Sequence, residues 1–149
     1  MKPRAHEPPI LTRAESEIMA LLWRSGGATV HEVVEGLSRD VAYTSVLTLL
    51  RILEKKGYVQ HEPHPDGGRA HVYKPLVQAV AARRHHVRDL VDRLFGGQSD
   101  ELVVGLLEHE KWSKPELQRL RELIDSRLSA RKAGAAPKTE TKKGKGHGT

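Results

Sequence analysis

The chain of 149 residues contains no cysteine, so no disulfide holds the fold and no thiolate is available to a metal. No apolar run approaches the roughly 20 residues that a membrane-spanning helix needs. Met1 to Pro9 is polar and proline-rich, without the basic, apolar and small-residue order of a secretion signal. The expectation is a soluble, cytoplasmic protein with no direct membrane insertion. A Gly-rich phosphate loop after a strand is missing, as is a nucleophile with a recognisable base partner. An enzyme is therefore not expected, and neither is a cofactor. Nine histidines raise the question of a metal. His61, His64 and His71 fall on one segment, but Pro63 and Pro65 constrain it and no carboxylate or thiolate spacing completes a site. His85 and His86 are adjacent on a helical stretch and point about 100° apart, so they do not chelate as an i, i+4 pair does.

The length allows one domain of ordinary size or two small ones. The net charge of +6 suggests nucleic acid until it is divided by segment. Arg131, Lys132, Lys138, Lys142, Lys143 and Lys145 against Glu140 place +5 in the last nineteen residues, leaving +1 for the rest. A DNA-binding reading must therefore rest on where the charges of the folded part sit. Residues 132–149, rich in Lys, Gly, Ala and Thr, are expected to be a disordered basic tail, either a solvated end or a source of sequence-independent attraction to phosphates.

The stretch Val41 to Lys56 organises the chain. Val46, Leu49, Leu50 and Leu53 recur at the spacing of one buried helix stripe. Thr44, Leu47, Thr48, Arg51 and Lys55 share the other flank. Hydroxyls, an apolar side chain and a guanidinium suit the edges of bases in a DNA major groove, although such a flank can also be ordinary surface. Before it, Leu11 ends a flexible leader of residues 1–10, and Thr12-Arg-Ala-Glu15 forms a capping box that opens a helix to about Trp23. Ala14, Ile18, Leu21 and Leu22 are its apolar stripe. Ser25-Gly-Gly27 breaks it, and Thr29-Val-His-Glu32 is a second box opening a short helix through Leu37. Ser38-Arg-Asp40 is the turn into the third helix, the spacing of a helix-turn-helix. Two β-favouring runs, Tyr58 to Glu62 and Arg69 to Lys74, flank an Asp66-Gly-Gly68 turn and read as a hairpin. Three helices and a hairpin make a winged helix over residues 11–76.

Residues 77–131 are expected to be helical: one helix to about Phe95, a Gly96-Gly97 break, a second from Ser99 or Asp100 to about Glu110, and a third after the capping box Ser113-Lys-Pro-Glu116. Pro115 is tolerated in that first turn, and Trp112 and Leu117 occupy the positions of a hydrophobic staple. Val87, Leu90, Val91 and Leu94 form one stripe; Leu117, Leu120, Ile124 and Leu128 form another. This apolar surface exceeds what three short helices cover within one chain, which points to pairing with a second copy. The expected class is mostly α with a small β-hairpin, a winged helix-turn-helix followed by a C-terminal helical dimerisation region.

Together these residues resemble the penicillinase repressor (BlaI/MecI/CopY) family of winged-helix regulators. The likeness runs from about Leu11 to Leu128 through Leu11-Thr-x-x-Glu15, Ile18-Met-x-x-Leu22-Trp23, Ala42-Tyr-Thr-Ser-Val-Leu-Thr48, Leu53-Glu-Lys-Lys-Gly57 and Arg69-Ala-His-x-Tyr73. It implies a homodimeric transcriptional repressor that binds double-stranded DNA at an inverted-repeat operator, its third helix in the major groove. Carried over, the DNA contacts would be Tyr43, Thr44, Ser45, Thr48 and Arg51, with Arg69 on the wing; Leu47 and Lys55 share the exposed flank. Dimerisation is expected of Val87, Val91, Leu94, Leu102, Leu106, Leu117, Leu120 and Ile124. Copper-responsive members use a cysteine cluster that this chain lacks. In β-lactam-responsive members a membrane sensor protease triggers cleavage of the repressor; the matching bond here would be Gly105–Leu106, without the Asn-Phe pair seen there. The alternatives are a winged helix used for protein contact and a nonspecific architectural DNA binder driven by the tail.

Overall fold

The computed structural model describes residues 7–134, which include six helices and one hairpin. The chain divides after Ser99 into two compact units. The fourth helix groups with the winged helix in the first of them.

In the first unit α1 spans Arg13–Ser25, α2 Val30–Gly36 and α3 Tyr43–Lys56; β1 is Val59–Pro63, β2 His71–Pro75, and α4 Ala79–Leu94. Both expected capping boxes form. Thr12 accepts from the Glu15 amide and Glu15 from the Thr12 amide, and Thr29 and Glu32 repeat the exchange, so orphan amides of each first turn are satisfied. Gly26 and Gly57 end α1 and α3 in the left-handed conformation, at φ 83° and 91°. The helix-turn-helix connection is longer than expected. Leu37 leaves α2 with ψ 144°, and Ala42 has the same ψ, so the link is residues 37–42 and α3 starts at Tyr43, not Val41. Leu37 and Val41 pack against the core, which draws both out of the helices.

The core is made by Ile18, Met19 and Leu22 of α1, Val33 of α2, Val46, Leu50 and Leu53 of α3, and Tyr58 and Val59 entering β1. The periodicity of α1 singled out Ala14, which is only half-buried, and passed over Met19, which is fully buried. The strands pair antiparallel with His61 opposite Tyr73. A third backbone segment joins them. Ala28 and Tyr73 exchange N–H···O=C bonds of 3.0 and 2.8 Å, tying the α1–α2 turn to the wing. Gly27 permits this approach: with φ at 155°, a Cβ there would lie 3.0 Å from Lys74 Cγ and 3.3 Å from the Tyr73 carbonyl oxygen.

The leader, expected to be flexible to residue 10, is held from Pro9. Tyr58 donates to the Pro9 carbonyl, Lys56 to the Ile10 carbonyl, and the Leu11 amide donates to His86 Nε2 of α4. Trp23 Nε1 donates to the Val77 carbonyl at 2.8 Å and Ala82 joins the core, so α4 is fastened to this unit at its first turns.

The second unit contains α5, Ser99–His109, from its second residue on, and α6, Lys114–Lys132. The third capping box forms between Ser113 and Glu116, with a proline in the first turn of α6. The Trp112 indole donates to the Leu106 carbonyl at 3.0 Å. Neither helix has a buried residue. No helix among the described residues is long and apolar enough to cross a membrane. The basic tail beyond residue 134 and the leader before residue 7 lie outside the described residues.

Candidate nucleic-acid interface

α3 has two unlike sides. Val46, Leu50 and Leu53 face the core with no exposed surface, while Thr44, Ser45, Thr48, Arg51 and Lys55 are exposed and Tyr43 is half exposed. This separation follows from the sequence: residues three and four apart stack on one side of a helix, and the apolar set and the polar set are offset around it. Leu47 departs from the expectation. It is half-buried and packs against the core, so it offers a thymine methyl only an edge.

The hydrogen bonds of this face decide what it can offer. Thr48 Oγ1 donates to the Thr44 carbonyl at 2.9 Å, so its proton is committed to the helix and its lone pairs point outward as acceptors. No side chain caps α3 at Ala42, which leaves the first turn around Tyr43, Thr44 and Ser45 suited to an anion at the positive end of the helix dipole. Among the described residues Arg51, Lys55 and Arg69 take part in no ion pair. Arg69 follows Gly67 and Gly68, both in the left-handed conformation at the hairpin tip, and is exposed. Arg39, in the turn before α3, is by contrast engaged: its guanidinium meets both oxygens of Glu17 at 3.1 and 3.4 Å. That bond holds the Glu17 carboxyl below its usual range.

Behind the face lies a group that sequence reasoning missed. His61, considered only as a metal ligand, instead meets Glu54 of α3, with Nδ1 2.7 and 2.9 Å from the two carboxylate oxygens. Tyr73 is buried beside them. Burial chiefly raises its pKa, the Glu54 and Tyr43 groups raise it further, and the Arg51 guanidinium opposes. A second missed pair braces α3 from the opposite side. Lys56 Nζ lies 2.6 Å from Glu15 Oε1, the Glu15 side chain being 3% exposed. Burial works to raise the Glu15 pKa, but the bonds from Lys56 and Thr12 outweigh it and the net shift is downward. The Tyr58 hydroxyl is pushed up to about 12, by burial first and by the Glu15 charge second. The Lys56–Glu15 pair joins residues 41 apart, and the His61–Glu54 pair crosses from α3 to β1, so no spacing within one helix announces either.

The residues expected to dimerise are distributed unevenly. Val87 and Leu94 of α4 are exposed, whereas Val91 is 3% exposed, already buried within the single chain. In the second unit Leu106, Leu117 and Ile124 are exposed, Leu102 and Leu120 half-buried; Leu128 of the same α6 stripe is exposed as well, and Val103, Val104, Leu107 and Leu123 add exposed apolar surface. Gly105 and Leu106 lie inside α5. Among the described residues no three His, Asp or Glu side chains are grouped to hold a metal ion.

The penicillinase repressor family profile matches residues 11–126. The penicillinase repressor of Bacillus licheniformis is 25% identical over 126 residues, covering 83% of this chain and 96% of that protein. The methicillin resistance regulatory protein MecI of Mammaliicoccus sciuri is 23% identical over 119 residues, covering 78% and 94%. Among solved structures, a cysteine-to-serine mutant of MarR from E. coli complexed with operator DNA is 20% identical, with a TM-score of 0.46 and coverage of 79% of this chain and 76% of that one.

Proposed function

The chain belongs to the penicillinase repressor family, and from that premise we propose that it is a sequence-specific transcriptional repressor acting as a homodimer on an inverted-repeat operator. One observation carries the reading: α3 buries one side completely and leaves Thr44, Ser45, Thr48, Arg51 and Lys55 on the other, its two cations without carboxylate partners among the described residues. Arg51 has the fork geometry to pair with guanine O6 and N7. Thr48, with its acceptor side outward, complements the amino group of adenine or cytosine. Tyr43, Thr44 and Ser45 address phosphate at the start of the helix, and Lys55 and Arg69 add backbone contacts. Two copies related by two-fold symmetry would read half-sites one helical turn, or a multiple, apart.

The exposed apolar face of the second unit supports pairing, with Leu106, Leu117 and Ile124 as contacts and Val87 and Leu94 contributing from α4. Relief of repression would follow cleavage at Gly105–Leu106 in response to a membrane sensor protease, since the cut separates α6 from the rest. The bond sits inside a helix, so cleavage requires α5 to open locally. Gly105 eases that step, because a helical Gly costs about 1 kcal/mol relative to Ala.

The test is to recover and sequence the duplexes that the pure protein retains from a random pool. An inverted repeat is expected, with affinity falling steeply as salt rises. Arg51→Ala should then cost roughly 1–3 kcal/mol and relax preference at one base pair per half-site. An equal loss on every sequence would make Arg51 a phosphate anchor. Loss of most affinity on deleting residues 132–149 would indicate an architectural binder, and absence of any duplex binding a protein-contact module.

A further inference from the structure

Among the described residues Arg51 takes part in no ion pair, in spite of a carboxylate on its own helix. Glu54 lies three residues on, a spacing at which Glu and Arg side chains are neighbours and attract. The Glu54 carboxylate nevertheless turns to the wing. Its Oε2 lies 2.7 Å from His61 Nδ1 and accepts from the His61 amide at 3.2 Å, while Oε1 lies 2.9 Å from the same ring nitrogen. A carboxylate only accepts, so Nδ1 carries the proton and donates. The His61 ring is itself held in place: His71 stands perpendicular to it at 5.0 Å between centroids, and Tyr73 is tilted against it at 5.6 Å.

On the DNA-binding reading above, we infer that His61 is a positioning residue for recognition. By engaging Glu54 it withholds that carboxylate from Arg51 and leaves the guanidinium available to the operator. The wing thereby acts on the recognition helix through a residue that need not touch DNA. Without His61, Glu54 and Arg51 pair across one turn, and binding must first break that pair and then bring the carboxylate close to the phosphates.

The experiment is a double-mutant cycle of His61→Ala and Glu54→Gln, with affinity measured by fluorescence anisotropy at fixed salt on the duplex selected by the wild type. His61→Ala should weaken binding by about two- to fivefold per half-site, the range of an exposed ion pair that must be broken. The double variant should recover most of that loss, because the neutral amide no longer competes for Arg51. A structural role for His61 alone predicts no recovery. His61→Ala binding as tightly as the wild type, or a double variant no tighter than His61→Ala, overturns the inference. An NMR readout stands apart from DNA. In the His61→Ala protein the Arg51 Nε–Hε resonance should shift on adding Glu54→Gln, and with His61 present it should not. The same resonance position in all four proteins overturns the inference even if no duplex is selected, so the fate of the positioning role and of the DNA reading can be told apart.

Discussion

The unit that ends at Ser99 and the unit that follows it use the same helix-forming signals, yet they differ in what they bury. Each has helices opened by reciprocal capping boxes and each has apolar stripes. In the first, Ile18, Leu22, Val46, Leu50 and Leu53 disappear into a common core, closed by a hairpin and by bonds that reach across more than forty residues, such as Lys56 to Glu15. In the second, no residue of α5 or α6 is buried, and Leu123, Ile124 and Leu128 are each more than half exposed. A capping box and a stripe therefore define a helix, whereas a core needs a partner surface at long range. The first unit supplies that surface from its own chain, and on the reading proposed above the second takes it from another copy.

The strongest way to break this contrast is to place a charge on the second unit. On that reading, Ile124→Asp should turn the proposed dimer into a monomer and weaken operator binding by roughly 10²–10⁴-fold, because a monomer loses the gain of two linked half-site contacts. Light scattering and anisotropy measure both, and melting of the first unit should stay unchanged. A variant that remains dimeric with full affinity would reduce the exposed stripe to ordinary surface. Next in size is the core. Leu50→Ala, at a site with no exposed surface, should cost about 2–5 kcal/mol in denaturant unfolding. Leu128→Ala, at a site 56% exposed, should cost little in dilute protein and more as concentration rises. A loss at Leu128 that ignores concentration would show that its partner lies within the same chain.

The same contrast explains which features the sequence made legible. All three capping boxes depend on residues within four positions of one another and are found where expected, and the hairpin forms around its glycine turn with its strands shifted by one or two residues, to Val59–Pro63 and His71–Pro75. The exposed flank of α3 was legible for the same reason. What escaped depends on distant partners. Met19 and Leu47 look like off-stripe residues until the hairpin and α2 surround the helices; Ala28 becomes a strand residue only through Tyr73, and Glu15 combines its local cap with an ion to Lys56. Val91 reads as one more member of an exposed stripe and is in fact buried. The start of α3 was missed by two residues because Val41 is drawn to the core.

Glu15 offers a third test, by pH. Its folded pKa lies below the ordinary glutamate value, so ionisation stabilises the folded state. The sign follows from linkage: the contribution is present above the unfolded pKa and is lost as pH falls through the lower, folded one. Acid unfolding monitored below pH 4.5 should therefore show it disappearing. Lys56→Met removes a principal cause of the lowering and leaves burial to raise the pKa, so the acid dependence should move to higher pH. The variant should also lose roughly 1–3 kcal/mol near neutral pH, since a buried carboxylate is left short of a partner. An unchanged acid profile would mean that Thr12 alone sustains the Glu15 charge.

The smallest expected effects come from the caps, and they sharpen the comparison because the chemistry is the same in both units. Thr12→Ala and Ser113→Ala each remove one side-chain acceptor from a reciprocal box, a loss of about 1 kcal/mol of local helix stability. The surroundings differ. Glu15 Oε1 accepts from the Thr12 amide at 2.8 Å and lies 2.6 Å from Lys56, so a disturbed first turn of α1 reaches the ion pair and the end of α3. The Ser113 box involves only Ser113 and Glu116, both exposed. Thr12→Ala should therefore lower the melting temperature of the whole first unit, whereas Ser113→Ala should speed amide exchange in the first turn of α6 and leave that melting temperature unchanged. If Ser113→Ala also destabilises the first unit, the two units unfold together and the helices of the second owe their stability to the first. If only exchange responds, the second unit stands on its local signals and on whatever copy covers it.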